Sequence, residues 1–157
     1  MALLPETLEL QVVTPERLIV RQEVHEVQVP GQNGYLGILP GHAPLLGELQ
    51  MGELSYRKGT AWAYLSVFWG FVEALPERVI ILAELAERGE EIDVERAQQA
   101  RRRAEERLQH PGDPNLDFPR AQTALQRALI RLQVATKAGG AGTIAPGRLP
   151  EGPTPAP

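Results

Sequence analysis

No cysteine occurs in the chain, so neither a disulfide framework nor a thiolate metal site can organise it. Histidine is almost as scarce. His25, His42 and His110 lie far apart in sequence and offer no metal-ligand pair spacing. No apolar run approaches the roughly 18–20 residues that a membrane span needs. The first ten residues, MALLPETLEL, have neither a basic n-region nor a long apolar stretch, so no signal peptide is expected. Basic excess is also missing. A formal net charge of -4 argues against bulk nucleic-acid binding, which wants a basic surface. The sequence contains no G-x-x-x-x-G-K-[ST] and no G-x-S-x-G, and it presents no catalytic set. These absences point to a non-enzymatic cytoplasmic protein that reaches a membrane only through a partner.

What is present divides into unlike parts. The 157 residues suffice for one core, or for a compact domain with an appendage. Residues 1–90 carry 6 Lys/Arg and 12 Asp/Glu, whereas residues 91–138 carry 9 and 7. An acidic N-terminal unit followed by a mildly basic one suggests two different jobs.

From Leu8 to about Leu85 the pattern is that of strands. Leu8, Leu10 and Val12 alternate with Glu9, Gln11 and Val13, and Val27 and Val29 alternate with Glu26 and Gln28. Lys58-Gly59-Thr60 and Pro76-Glu77-Arg78 each separate two such runs, which marks two hairpins. Short aliphatic and aromatic runs punctuated by Gly and Pro predict an all-β sandwich or barrel.

After Glu91 the period changes. Ala97, Ala100, Ala104 and Leu108 fall on one helix face, with Asp93 as N-cap and Pro111-Gly112 as the stop. Asp117 caps a second helix with Pro119 in its first turn. Its stripe is Ala121, Leu125, Ala128, Leu132 and Ala135, ended by Gly139-Gly140. Helices of about 16 and 20 residues joined by a short turn make a helical hairpin. Alanine stripes bury little area each, so the hairpin is expected to be mobile or to depend on a partner. Residues 139–157 hold five glycines and five prolines, a disordered tail by composition.

Two segments invite a functional reading. GQNGYLGILPGHAPLL, residues 31–46, is glycine-rich, but no helix pattern follows it and it has no lysine. It therefore lacks the strand-to-helix geometry of a phosphate loop. A rigid docking surface and simple turn geometry both remain open for it. The second helix contains Arg120, Arg127, Arg131 and Lys137 and no acidic residue. Its arginines fall near one face, and Arg127 meets a like charge, Arg131, four residues on. On the first helix Asp93, Arg96, Ala100 and Arg103 form another stripe. A solvated basic face is one reading. A bound polyphosphate or an acidic helix of a partner is the other, because the arginine fork takes phosphate or carboxylate bidentately.

In the order they occur, three blocks carry a family resemblance. They are GYLGILPGHAPLL, similar to G-x-x-G-[IV]-[LY]-P-G-H-A-P-L-L; the strand pair around Gly70-Phe71-Val72-Glu73 and Val79-Ile80-Ile81-Leu82-Ala83-Glu84; and Ile92-Asp93-Val94-Glu95-Arg96-Ala97, followed by an arginine-rich helix and Arg120-Ala121. From about Leu8 to Lys137 the sequence resembles the epsilon subunits of bacterial F-type ATP synthases (delta in mitochondria). The resemblance implies an α+β fold: an N-terminal sandwich of about ten strands over residues 1–90 and a C-terminal antiparallel helical hairpin over 91–138.

The resemblance also implies a rotor role in proton-driven ATP synthesis. The sandwich would bind the gamma subunit and sit on the c-ring, on the cytoplasmic face of the bacterial inner membrane. The hairpin would either lie compact or extend toward the alpha and beta subunits and block ATP hydrolysis. No cofactor is required, but some relatives bind ATP in the compact state as a regulatory ligand. Carried over by position, that site is Glu87, Ile92, Asp93, Arg96, Ala97 and Arg103, with Arg127 and Arg131 from the second helix. Docking to the c-ring or gamma falls to Gly34, Tyr35, Pro40, His42 and Ala43. The family often has glutamate at position 35; Tyr35 removes that charge and offers an amphipathic ring instead. A stand-alone nucleotide-sensing or ligand-binding sandwich remains the alternative.

Overall fold

The structure, a computed structural model, describes residues 3–139; the Gly/Pro-rich tail foreseen at 139–157 lies outside them from residue 140 on. Eight strands come first: β1 (Leu8–Val13), β2 (Leu18–Val24), β3 (Glu26–Gly31), β4 (Gly34–Ile38), β5 (Leu45–Leu49), β6 (Gly52–Lys58), β7 (Ala61–Leu75) and β8 (Arg78–Arg88). A single 3-10 turn at Gly89–Glu91 leads to α1 (Val94–Leu108) and α2 (Phe118–Ala138).

The two longest strands explain the difference between the eight strands found and the ten expected. β7 pairs with β6 over its first half and with β5 over its second, while β8 runs beside it through both halves. Each of these strands therefore contributes a segment to both layers, which makes ten segments from eight continuous strands. One layer runs β2-β1-β8-β7-β5, and β4, β3 and β6 join β7 in the other. The β1–β8 pair is parallel and the remaining pairs are antiparallel.

The change of layer happens at Trp69-Gly70. Both have positive φ, 54° and 137°, and strands that switch sheets turn such corners by a local bend. A side chain on Gly70 would run into the Leu82 carbonyl oxygen of β8. For tryptophan a left-handed backbone is uncommon, so tertiary packing imposes it.

The core is aliphatic and follows the period-two pattern. Leu8, Leu10 and Val12 are fully buried, as are Val27 and Val29, together with Leu54, Leu65, Val67, Val72 and Ile81. Both foreseen hairpins are present: β6 and β7 turn at Gly59-Thr60, β7 and β8 at Pro76-Glu77.

The helices also start where their capping residues place them. Asp93 Oδ1 accepts from the Arg96 amide (3.0 Å) and Asp117 Oδ1 from the Arg120 amide (3.1 Å), which satisfies one otherwise unpaired N–H in each first turn. Ala97, Ala104, Ala121 and Ala128 are buried, so the alanine faces zip the two helices together. The hairpin does not stand free. Val134 and Ala138 of α2 are buried too, and they sit against Gly89, where an added Cβ would strike Ala138 and come within 3.0 Å of the Val134 carbonyl oxygen. A small residue at the junction thus lets α2 lie down on the sandwich.

Gly70→Ala combines a left-handed backbone with a clash against β8. It is expected to destabilise the chain by about 3 kcal/mol or more, read as a lower urea midpoint; a midpoint within error of the parent chain would refute this account of the bend.

Candidate functional site

α2 lies across the outer face of β6 and β7, and three of its four basic residues, Arg127, Arg131 and Lys137, point into that contact. Arg131 Nε donates to Glu87 Oε2 of β8 (2.6 Å), and its guanidinium stacks over the buried Phe68 ring at 4.8 Å. Glu87 also accepts from the buried Ser66 hydroxyl at 3.2 Å. Lys137 Nζ donates to Glu53 Oε1 (2.9 Å) and lies 5.6 Å from the Tyr64 ring. Gln133 Nε2 donates to the other Glu53 oxygen, Oε2, at 3.1 Å. Arg127 stacks on Trp69 at 4.9 Å. Arg127, Arg131 and Lys137 of α2 are thus matched by two glutamates and three aromatic rings of the sandwich, which adjusts the expectation that the like charges await an anion or a partner; Arg120 stays exposed. At this partial exposure each charge-assisted pair contributes about 1 kcal/mol.

Where α1, α2 and β8 meet, a cleft of about 460 Å³ opens. It is lined by Glu87, Glu91, Ile92, Asp93, Arg96, Ala97, Ala100, Arg103 and Arg131. Seven of the eight residues assigned to a nucleotide from sequence therefore share one cleft. Arg96 and Arg103 are two turns apart on one face of α1, and Arg131 faces them from α2. Among the described residues Arg96 and Arg103 form no ion pair. Two free guanidinium groups and a third aligned by a carboxylate suit a polyphosphate. Asp93 is engaged by its capping bond, and Glu87 already holds Arg131.

Arg127 is the exception. One turn before Arg131, it lies outside the cleft and lines a neighbouring groove with Asp117, Pro119, Arg120, Thr123 and Ala124. The left-handed backbone at Trp69 brings that ring beneath Arg127, and the Nε of Arg127 is buried without a partner. On the exposed side of α1, Arg101 Nε donates to Glu105 Oε1 at 2.8 Å, an i,i+4 pair.

The five loop residues assigned to docking do not form one surface. Gly34 (φ 119°) and Tyr35 open β4, beside the β5–β6 turn. The Tyr35 ring is exposed, yet its hydroxyl oxygen accepts from the Glu53 amide at 3.3 Å. Pro40, His42 and Ala43 follow the other end of β4, where the Gly41 amide donates to the Pro76 carbonyl (2.7 Å) and the His42 amide to Leu39 (3.1 Å). Five strand residues at ~3.3 Å each separate these groups by roughly 16 Å. An apolar patch lies elsewhere, on adjacent strands: Leu46 of β5, Phe71 of β7 and Leu82 of β8 are exposed, and Phe71 pairs with Leu82.

Residues 7–89 match the family described as ATP synthase, Delta/Epsilon chain, beta-sandwich domain, and residues 90–136 match its long alpha-helix domain. The chain belongs to the ATP synthase delta/epsilon family. It is 57% identical over 107 residues to the ATP synthase epsilon chain of Koribacter versatilis, covering 68% of this chain and 75% of that one. The epsilon chain of Solibacter usitatus is 49% identical over 134 residues, 85% of this chain and 99% of the relative. In solved structures, a chain of the Euglena gracilis mitochondrial ATP synthase superposes with a TM-score of 0.73 at 23% identity, covering 86% of this chain and 84% of that one. At that identity what is shared is the fold.

Sequence reasoning missed Glu53, Tyr64, Phe68 and Trp69 as the seat of α2. One signal was legible: from Tyr64 to Trp69 the strand is aromatic or apolar on both faces apart from Ser66, and a strand of a two-layer sandwich needs only one apolar face. No helix is long and apolar enough to cross a membrane, and no cluster that could hold a metal ion occurs, among the described residues.

The hydrogen bond from Lys137 to Glu53 raises the lysine pKa above its ordinary value of 10.5, outweighing partial desolvation. A raised lysine pKa stabilises the fold fully below the unfolded value and loses that contribution as pH climbs through the folded one. The difference in urea midpoint between the parent chain and Lys137→Met is therefore expected to stay constant from about pH 7 to 9.5 and to shrink only above ~10.5. A difference already vanishing near pH 8 would contradict the pair's geometry.

Proposed function

We propose that the chain is a non-catalytic central-stalk subunit of an F-type ATP synthase, in which the sandwich couples and the hairpin regulates. The observation that carries this reading is the tandem match of both family domains over residues 7–136, with relatives named as ATP synthase epsilon chains. The unit boundaries follow as 1–90 for the sandwich and 91–138 for the hairpin, with a further segment at 139–157. The Leu46–Phe71–Leu82 patch supports docking of the gamma subunit, since apolar residues exposed side by side mark an interface. The loop carrying Gly34 and Tyr35, and the turn carrying Pro40, His42 and Ala43, supply separate contacts to the c-ring and gamma. The complex would hold the chain peripherally on the cytoplasmic face of the bacterial inner membrane.

In the compact state Arg127, Arg131 and Lys137 are occupied by the sandwich. In an extended state the same side chains become available to acidic surfaces of the alpha and beta subunits, where they would block ATP hydrolysis. ATP in the cleft would favour compactness by bridging Arg96 and Arg103 on α1 to Arg131 on α2. Such a ligand acts only through its preference for one state.

Deletion of residues 91–157 is expected to raise ATP hydrolysis by the assembled complex about twofold or more while gamma still co-purifies with the sandwich. Unchanged hydrolysis would sink the inhibitory role, and loss of gamma binding by the full chain would sink the rotor reading. Calorimetry with millimolar MgATP on the full chain is expected to show binding that weakens roughly tenfold on Arg103→Ala; absence of heat, or equal affinity in the variant, would reject the nucleotide site.

A further inference from the structure

Glu53 is the least exposed carboxylate on the sandwich face that receives the hairpin, 9% accessible, and it is bonded on two sides. Its side chain holds the end of α2 through both oxygens, Oε1 to Lys137 Nζ and Oε2 to Gln133 Nε2. Gln133 and Lys137 are one turn apart, so a single carboxylate reads one face of the last turns of the helix. Its own amide donates to the Tyr35 hydroxyl oxygen at 3.3 Å. The Tyr35 ring itself is 64% exposed, with its hydroxyl turned inward.

The neighbouring residue leaves little slack in this connection. A Cβ on Gly52 would lie 2.7 Å from Pro30 Cβ and 3.2 Å from the Tyr35 hydroxyl oxygen. The Gln50 amide donates to the Pro30 carbonyl at 2.9 Å, and its side chain donates to the Gln32 carbonyl at 3.3 Å. The β3–β4 tip is therefore fastened directly onto the start of β6, and one residue, Glu53, separates it from α2.

We infer that Glu53 is a latch joining the Tyr35 loop to the end of α2, so that a partner covering the Tyr35 ring holds the hairpin docked. This rests on the rotor reading above for the identity of that partner, the c-ring. The physical reason is restriction of the tyrosine. Covered, the ring keeps its hydroxyl on the Glu53 amide and keeps β6 where the carboxylate meets Lys137 and Gln133. Uncovered, the ring is free to swing into solvent and the strand end relaxes. Because coupling between two sites is reciprocal, a docked hairpin strengthens the loop contact by the same factor. Glu53 is a positioning residue in this account, acting through β6.

The absence of native cysteine allows a clean test. Spin labels at Lys58→Cys on the sandwich and Gln98→Cys on α1, both at exposed positions, report docked and undocked distances in the full chain, alone and in the complex with gamma and the c-ring. Glu53→Gln and Lys137→Met are each expected to raise the undocked-to-docked ratio roughly three- to tenfold, and the double variant is expected to exceed neither by much, since both break one bond. Assembly onto the c-ring is expected to lower the ratio in the parent chain and to do so less in Tyr35→Phe, which keeps the ring and loses the hydroxyl. Lys137 is half-exposed, so its variant tests the latch without disturbing the core. Parent-like ratios in both Glu53→Gln and Lys137→Met would overturn the latch. An equal response of Tyr35→Phe and parent chain to the c-ring would overturn the coupling while leaving the latch. Failure to assemble with gamma and the c-ring at all would instead count against the rotor reading, with the latch still decided by the free chain.

Discussion

The basic face of α2 lying on the aromatic and acidic face of β6–β8 is the contact on which the rest of the arrangement depends. Neither surface is satisfied alone. Four cations on one helix repel each other, and Phe68, almost fully buried under the helix, would face water without it. Bringing them together neutralises Arg131 and Lys137, covers the rings with guanidinium and ammonium groups, and buries Val134 and Ala138 against Gly89. Individually these are modest interactions, partly exposed and of about 1 kcal/mol. A contact built from several such terms is specific in geometry without depending on any one of them.

The cleft is a consequence of that contact. Arg131 belongs to α2, Arg96 and Arg103 to α1, and Glu87 to β8, so the four meet only while the hairpin lies down. A ligand that bridges them reads the compact state by construction. The bend at Trp69-Gly70 serves the same end from below, since it turns β7 from one layer to the other just where Arg127 stacks.

Much of this was legible in one dimension. The alternation at Leu8, Leu10 and Val12 located a buried strand face, and Asp93 and Asp117 located the helix starts to the residue, because period and capping are local properties. Spacing put Asp93, Arg96 and Arg103 on one stripe of α1, but only the resemblance joined them to Glu87 and Arg131, since nothing in a separation of 44 residues says that those two touch. The eight continuous strands in place of ten separate ones trace to the corner at Trp69-Gly70, where β7 changes layer, and Trp69 there receives Arg127. A tryptophan with left-handed backbone is a product of packing and has no signature in propensity. Glu53 was invisible for a related reason: a glutamate in a strand reads as a solvent-facing residue until a helix from 80 residues further on covers it.

By itself the sequence determined that a run of strands precedes two helices, where those helices start, and that the second helix carries positive charge with no acidic residue of its own. These follow from interactions between residues a few positions apart. The tertiary structure alone decided where that charge goes. It set the basic face of α2 on Glu53, Glu87 and the rings of β7, placed three arginines around one cleft, and put the two halves of the glycine-rich segment at opposite ends of β4. Those outcomes depend on pairings between distant segments, which local propensity and capping cannot specify, and which bury both faces of β7 only from Leu65 to Phe68.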